Sequence, residues 1–331
     1  MSKHICIAIL GLSLWSNAAS AWGDRGHEIV GQIAEESVKP TTRDWVRGIL
    51  GLEPLAVAST FPDHVRSDAR FSNDFAEYHY CEIPTGSNYD SKTKKYEKDC
   101  FGSMSGSIEI LKSPVNSKTA RVEKQIALRY LAHVVGDIAN PLHVGNGLDR
   151  GGNYCRVRWT ASRTPKDTNL HAAWDESLVE YLGQTFADPK KNRKAAVYLA
   201  DYMITFKERY IDQMNQAGKE KLGGGDMKSW LMESQALRES GIYPTGPGPN
   251  GTDRSYCDPK GSARAVLDLA YAEKFAPLVE SQLLKSALRL AATLDTVADH
   301  ALAAKSKPPT LSEKEQEEIL RNVLTKFKNQ K

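Results

Sequence analysis

The segment from Lys118 to Ile138 places Val122, Ile126, Tyr130, Val134 and Ile138 at helical spacing on one face before Asn140-Pro141 ends it. A long helix with one apolar stripe needs partners, and the chain supplies them. Ile29, Ile33, Ala34 and Val38 recur at the same period before Pro40, and Thr41 or Thr42 can cap a second helix running to Gly51. Further helices are expected from Asn169 to Leu182, Asn192 to Met214, Met227 to Glu239 and Ala263 to Ala303. The exception is Gly151 to Thr160, where Tyr154, Arg156, Arg158 and Thr160 alternate with Cys155, Val157 and Trp159 after a Gly-Gly turn, as in a short strand or hairpin. The Pro- and Gly-rich stretch from Gly241 to Gly261 reads as loop. With no internal repeat and no linker, the expectation is a mainly α, single compact multi-helix domain with a short β-hairpin over residues 22–306. After Pro308-Pro309, Thr310 or Ser312 can cap a charged amphipathic helix to about Phe327, so residues 307–331 read as a C-terminal helical extension.

Lys3, the apolar run from Ile5 to Leu14 and the small residues Ala19-Ser20-Ala21 have the form of an export signal over residues 1–21, cut between Ala21 and Trp22. The run is too short to span a bilayer, Cys6 lies inside it, and no later segment is long enough, so no membrane anchor is expected. The mature chain is expected to be secreted or periplasmic. Of five cysteines, Cys81, Cys100, Cys155 and Cys257 remain after cleavage, an even number suited to two disulfides in an oxidising compartment, with connectivity open. Lys and Arg total 44 against 41 acidic residues in 331, a net +3, which excludes the basic excess of a duplex-packaging protein. Nothing points to an obligate protein partner, and a monomer is expected.

Eight histidines are present, His4 among them in the leader. His133 and Asp137 lie four apart on the long helix, and His171 and Asp175 lie four apart on the next, so each pair projects from one helical face. One such pair is ordinary surface hydrogen bonding, but two suggest metal binding. His143, in Asn140-Pro141-Leu142-His143, follows a turn that can swing it back toward Asp137. Imidazole and carboxylate donors suit zinc, whereas calcium takes more oxygens. The cysteines show no C-x-x-C spacing and are poor ligand candidates.

The chain resembles the S-one/P-one type zinc-dependent single-strand nucleases, which also act as 3′-nucleotidases and share a helical fold with zinc phospholipase C. The resemblance runs from Trp22 to about Leu294. It rests on Trp22-Gly-Asp-Arg-Gly-His27, Asp63-His-Val-Arg66, Tyr78-His79-Tyr80, His133-Val-Val-Gly-Asp137, Pro141-Leu142-His143, Gly151-Gly152-Asn153 and Asn169-Leu170-His171-Ala-Ala-Trp174-Asp175. It implies three Zn²⁺ ions. Asp63, His79, His133 and Asp137 would hold the first, and His143, His171 and Asp175 the second. The third would be held by the α-amino nitrogen and carbonyl oxygen of Trp22, by His27 and by a bridging Asp137. That amino group exists only after leader cleavage and must be deprotonated to coordinate.

The implied reaction is hydrolysis of single-stranded DNA and RNA, and of 3′-nucleotides, to 5′-phosphorylated products, with a metal-bridging hydroxide as nucleophile. Asp63 would hydrogen-bond the attacking water and Arg66 would face the phosphoryl oxygens. The resemblance places Tyr80 as the base-stacking platform, Glu82 at the base edge and Asn153 as a further polar contact, with core packing the open alternative for Tyr80. A Glu at position 82, where some relatives have Asp, and Arg150 before the glycines leave base preference open. His64 and His300 are read as surface residues, and Asn250-Gly251-Thr252 as a glycosylation sequon. Two other readings compete: a zinc phospholipase C-type phosphodiesterase, and a non-enzymatic exported zinc-binding protein. Asp175, Tyr80, Glu82 and the Gly-Gly-Asn turn favour the nuclease over the first; open coordination positions favour it over the second.

Overall fold

The computed structural model describes residues 22–67, 76–90, 92, 98–114, 118–186, 216–247, 253–255, 264–304, 312 and 314. Four helices open the described part of the chain: α1 (Gly23–Ser37), α2 (Pro40–Leu50), α3 (Leu55–Ala58) and α4 (Phe61–Ser67). A 3-10 turn (Ala76–His79) leads into β1 (Cys81–Glu82), followed by α5 (Cys100–Lys112) and the long α6 (Lys118–Asp137). A second 3-10 turn (Pro141–His143) leads into β2 (Val144–Gly145), and then come β3 (Arg156–Trp159) and β4 (Lys166–Asn169). Helix α7 (Leu170–Ala172) passes through a π-turn (Ala173–Ser177) into α8 (Leu178–Phe186). The remainder is α9 (Gln216–Gly223), α10 (Met227–Glu239), β5 (Thr245–Pro247), β6 (Asp253–Ser255), β7 (Ala265–Leu267) and α11 (Leu269–Ala303).

The helical reading holds, and the apolar stripes meet as expected. Helix α11 packs on α1, α2, α5, α6, α8 and α9, and buries Val279, Leu283, Leu290, Leu294 and Val297. Val122, Ile126, Tyr130, Val134 and Ile138 are all buried, so the stripe on α6 faces the core throughout. No described helix is long and apolar enough to cross a membrane.

Several boundaries differ from the sequence reading. Helix α2 starts at Pro40, with Lys39 as N-cap and no side-chain cap, because a proline at the first helical position supplies the required φ and has no N–H to satisfy. Thr41 and Thr42 therefore lie inside the helix. The strand expected over 151–160 narrows to β3, which pairs antiparallel with β4, Val157 opposite Thr168. The other edge of β3 is taken by β7 in parallel, Val157 opposite Ala265, so residues read as the start of the last helix form a third strand. That helix begins after Asp268, whose carboxylate accepts from the Tyr271 N–H. Asn169 likewise ends a strand and caps α7, accepting from the Ala172 N–H. The stretch read wholly as loop contains a small antiparallel pair, β5 with β6. The leader, the helix expected over 192–214, the sequon and most of the C-terminal extension lie outside the described residues.

Two features hold the ligand-bearing segments in register. Cys81 and Cys100 form a disulfide joining β1 to the start of α5, and Cys155 is also disulfide-bonded. Cys257 lies outside the described residues. Helix α10 then braces the site from behind. Gln235 Nε2 donates to the carbonyls of Pro84 (3.0 Å) and Ser87 (2.9 Å), and Arg238 donates to those of Ile83 (2.9 Å) and Val144. Ser234 donates to the Ile138 carbonyl just past α6. These contacts satisfy buried carbonyls and tie the parallel pair β1–β2, with Cys81 opposite Val144, to the core.

Candidate metal centre

Four donors from three separate elements converge at the first site. Asp63 comes from the first turn of α4, His79 from the 3-10 turn, and His133 and Asp137 from the C-terminal end of α6, one turn apart. Asp63 is 4% exposed, and the other three are fully buried. His79 Nδ1 lies 2.8 Å from His133 Nε2, 3.7 Å from Asp63 Oδ1 and 3.3 Å from Asp137 Oδ2. His133 Nε2 lies 3.8 Å from Asp63 Oδ1 and 3.2 Å from Asp137 Oδ2. A tetrahedral ion with ligand bonds of about 2.0–2.2 Å has ligand–ligand edges of roughly 3.3–3.6 Å, and these distances bracket that value.

A second site lies close by, formed by His143, His171 and Asp175. His143 Nε2 is 3.7 Å from Asp175 Oδ1, and His171 Nε2 is 3.2 Å from Asp175 Oδ2. Asp175 sits in the π-turn, whose extra residue per turn is a frequent mark of a functional site. Asn140, read in the sequence only as a helix terminator, donates from Nδ2 to Asp175 Oδ1 at 2.5 Å and fixes that carboxylate.

The third group lies against the first. The His27 ring stacks on His133, centroids 3.8 Å apart, and its Nε2 lies 3.2 Å from Asp137 Oδ1. The two oxygens of Asp137 thus face different histidines, the disposition of a bridging carboxylate. Trp22 is fully buried, its indole N–H donating to the Gly136 carbonyl at 2.7 Å, while its own carbonyl accepts from the Gly26 N–H at 3.0 Å. Gly136 permits this approach: a Cβ there would stand 3.1 Å from His27 Nδ1.

Three imidazoles are oriented by backbone carbonyls. His133 Nδ1–H donates to Ser59 O (2.6 Å), His143 Nδ1–H to His79 O (3.0 Å) and His171 Nδ1–H to Gly151 O (2.7 Å). Each bond places a proton on Nδ1 and turns Nε2 inward. His27 Nδ1 and Nε2, both oxygens of Asp137, His143 Nε2 and Asp175 Oδ2 are buried without a hydrogen-bond partner. Such atoms are costly unless something else satisfies them, and a nitrogen-rich set with carboxylates is the donor chemistry of zinc. Three groups have ligand atoms within 4.8 Å of one another, the first two sharing His133: His27, Asp63 and His133; His79, His133 and Asp137; and His143, His171 and Asp175.

The electrostatics of the ion-free cluster follow from burial. Burial drives the Asp137 carboxyl up, but His133 and His143 outweigh it and hold it well below the usual carboxylate range. Burial lowers His143, and Asp137 with Asp175 reverses this, raising it to about 9. His79 is pushed down to about 4, chiefly by burial, while burial and the stacked His133 lower His27. Arg66 Nη2 stands 3.1 Å from Asp63 Oδ1, at the edge of the first site.

Tyr80 is 38% exposed, which decides against core packing. Glu82 is half-buried on β1 with Oε2 beside Gly147, and Asn153 closes the Gly-Gly-Asn turn by donating to the Arg150 carbonyl at 2.8 Å. His64 and His300 are exposed, as read. Sequence reasoning missed Ser59, Asn140 and Gly136. The last two lie within or beside quoted motifs, whereas Ser59 acts through its carbonyl and carries no signal.

Gly151 has φ +59°, and a Cβ there would stand 2.2 Å from the Leu142 carbonyl oxygen. Gly151→Ala is therefore expected to cost about 2–3 kcal/mol of stability. Shifting the carbonyl that holds His171 should also weaken ion binding at the second site by about 10–100-fold. Denaturant unfolding and metal titration check both; an unchanged titration would show that this carbonyl does not orient the ligand.

Comparison with known proteins gives concordant matches. The family model described as S1/P1 Nuclease matches residues 22–299. Endonuclease 3 of Arabidopsis thaliana is 27% identical over 308 residues, spanning 88% of this chain and 94% of that protein. Nuclease S1 of Aspergillus oryzae is 28% identical over 306 residues, 84% of this chain and 92% of its own length. Nuclease P1 of Penicillium citrinum is 31% identical over 195 residues, 53% of this chain and 66% of its own.

Proposed function

The chain belongs to the S1/P1 nuclease family, and from that premise we propose that it is an exported, zinc-dependent endonuclease of single-stranded DNA and RNA that also acts as a 3′-nucleotidase. The observation that carries this reading is the convergence of inward-facing imidazole nitrogens and buried carboxylate oxygens in three groups. Asp63, His79, His133 and Asp137 would hold one ion, and His143, His171 and Asp175 a second. His27, Asp137 and the amino and carbonyl groups of Trp22, freed when residues 1–21 are removed, would hold a third. Zinc bound there supplies Lewis acidity to phosphate oxygens and a water acidic enough to ionise near neutral pH.

The chain's own residues do the rest. Asp63 stays ionised despite burial, because His133, His79 and Arg66 hold its carboxyl below the usual range, so it can accept a hydrogen bond from the attacking water. Arg66, paired with Asp63, would meet the charge that grows on the phosphoryl oxygens. Tyr80 offers an exposed ring on which an unpaired base can stack, whereas a base held in a duplex cannot reach it. Residues 22–306 form the catalytic domain in this reading, acting as a monomer.

The test is metal analysis of the chain beginning at Trp22, with hydrolysis of single-stranded DNA, RNA, 3′-AMP, duplex DNA and a phosphocholine lipid. The expected result is zinc in the protein, 5′-phosphate ends from both single strands, phosphate release from 3′-AMP, and slow turnover of duplex and lipid. Lipid hydrolysis without nucleic-acid cleavage would convert the reading to a phospholipase. Bound zinc with no hydrolysis would make the protein a metal carrier.

A further inference from the structure

The outer face of the three-stranded sheet, ordered β4–β3–β7, is rich in guanidinium groups. Strand β3 alternates exposed Arg156 and Arg158 with Val157 and Trp159, which are buried in the core. Arg264, immediately before β7, donates to Asp167 on β4, so its side chain spans the strand between them. Asp167 also pairs with Arg158 at 3.4 Å, so one carboxylate is shared by two cations, and Arg156 has no acidic partner among the described residues. Asp268, just beyond β7, is engaged in capping α11, and Lys166 and Glu176 offset one another at 3.7 Å. Across the strands, then, three guanidinium groups stand against one carboxylate. The near end of this face adjoins the second ligand group. Arg156 stands opposite Asn169, the cap of α7 two residues before His171, and the Leu170 N–H donates to the Cys155 carbonyl at 2.8 Å. Two residues back from Arg156 is exposed Tyr154, over whose ring the Arg150 guanidinium lies 5.3 Å from the centroid. Arg150 precedes Gly151, whose carbonyl orients His171. A row of cations thus leads away from the metal centre along a strand.

We infer that this sheet face binds the phosphate backbone of a single strand beyond the nucleotide held at the metal centre, with Arg156, Arg158 and Arg264 as its contacts. The inference rests on the nuclease reading and deepens it: the substrate held best is a polynucleotide rather than a mononucleotide. Residues two apart on a strand are separated by about 6.6 Å, close to the phosphate repeat of an extended single strand, so Arg156 and Arg158 can meet successive phosphates. A planar guanidinium pairs with phosphate oxygens through two parallel N–H bonds, which an exposed arginine makes at little desolvation cost. Every nucleotide carries the same phosphate, so the face adds affinity without base selectivity. Asp167 competes with the strand for Arg158 and Arg264, and a bound phosphate would take the place of that carboxylate.

The experiment measures kcat/KM for a twelve-residue oligothymidylate and for 3′-dTMP at about 50 and 200 mM salt. It uses three zinc-loaded proteins: the unmodified chain, the double variant Arg156→Gln with Arg158→Gln, and Asp167→Asn. Each phosphate contact on a single strand contributes about −0.7 to the slope of log affinity against log salt. Over that range, three contacts should lower the ratio of oligonucleotide to mononucleotide kcat/KM by roughly twentyfold, and the one contact left in the double variant by roughly threefold. Asp167→Asn frees two guanidinium groups and should raise the ratio at low salt by roughly two- to fivefold, the range of a screened surface charge contact. This change acts in the opposite direction, so an arginine variant that fails to fold leaves the question decidable. The same salt response for both substrates, an unaltered response in a folded double variant, or a fall in the ratio for Asp167→Asn would each overturn the assignment while the nuclease reading stands. Binding to phosphatidylserine vesicles that the double variant loses, with the ratio unaltered, would give the face to an anionic membrane and overturn it too. Hydrolysis of neither substrate by the unmodified chain would instead overturn the nuclease reading, and this one with it.

Discussion

Asp137→Asn should lower turnover by about 10³-fold or more, because on the proposed reading the change removes a ligand itself, and loss of a mere supporting contact already costs about 10–100-fold. Asp137 is fully buried, with Oδ1 toward His27 and Oδ2 toward His79 and His133. Asparagine has nearly the same shape but no charge, and it replaces one acceptor oxygen by an N–H₂ donor that no cation will accept. The loss therefore falls on two metal positions at once, and metal analysis should show both depleted. Near-normal turnover with full occupancy would show that these oxygens hold no ion. Because the field of Asp137 reaches His143 as well, the variant should also release that imidazole from its raised value of about 9, visible as an upfield shift in an NMR titration of the metal-free protein.

Stripping the ions with a chelator should abolish hydrolysis, and zinc should restore it. The thermal midpoint should fall by on the order of 10 °C, since an ion bound at 1,000 times its Kd contributes about 4 kcal/mol and each kcal/mol shifts the midpoint by roughly 2–4 °C in a large domain. Metal ions and protons compete for the same nitrogens. His143 is protonated below about pH 9 in the ion-free cluster, so zinc uptake at neutral pH must expel its proton, and the apparent affinity must rise with pH up to that point. Calorimetry in buffers of different ionisation enthalpy measures the proton released. No proton release at pH 7, or an affinity that rises on acidification, would contradict the arrangement.

The helical elements were legible because their apolar spacing is local, and α6 buries every residue of the stripe read from the sequence. The His133–Asp137 pair was legible for the same reason, since spacing of four puts both on one helical face. His171 and Asp175 share that spacing, but the π-turn around Asp175 has no sequence pattern of its own and is set by packing where α1 begins, with Gly23 against Asp175. Residues 265–267 were read into a helix because a short Ala-Val-Leu run suits either state. The open edge of β3 decided it, and that edge lies more than a hundred residues earlier in the chain. Tyr80 was ambiguous because an aromatic between two inward residues, His79 and Cys81, can face either way until the strand is placed.

The sequence by itself determined the donor inventory and its chemistry: imidazoles and carboxylates on helical faces, with no thiolate pattern to compete. What only the tertiary structure decided is which nitrogen of each ring faces the centre. His133 is set by Ser59 from 74 residues away, His143 by His79 from 64, and His171 by Gly151 from 20, each through a backbone carbonyl that any residue possesses. A carbonyl has no sequence signature, so its place beside a histidine is known only once the chain has packed, and that placement turns a scatter of ligands into a site.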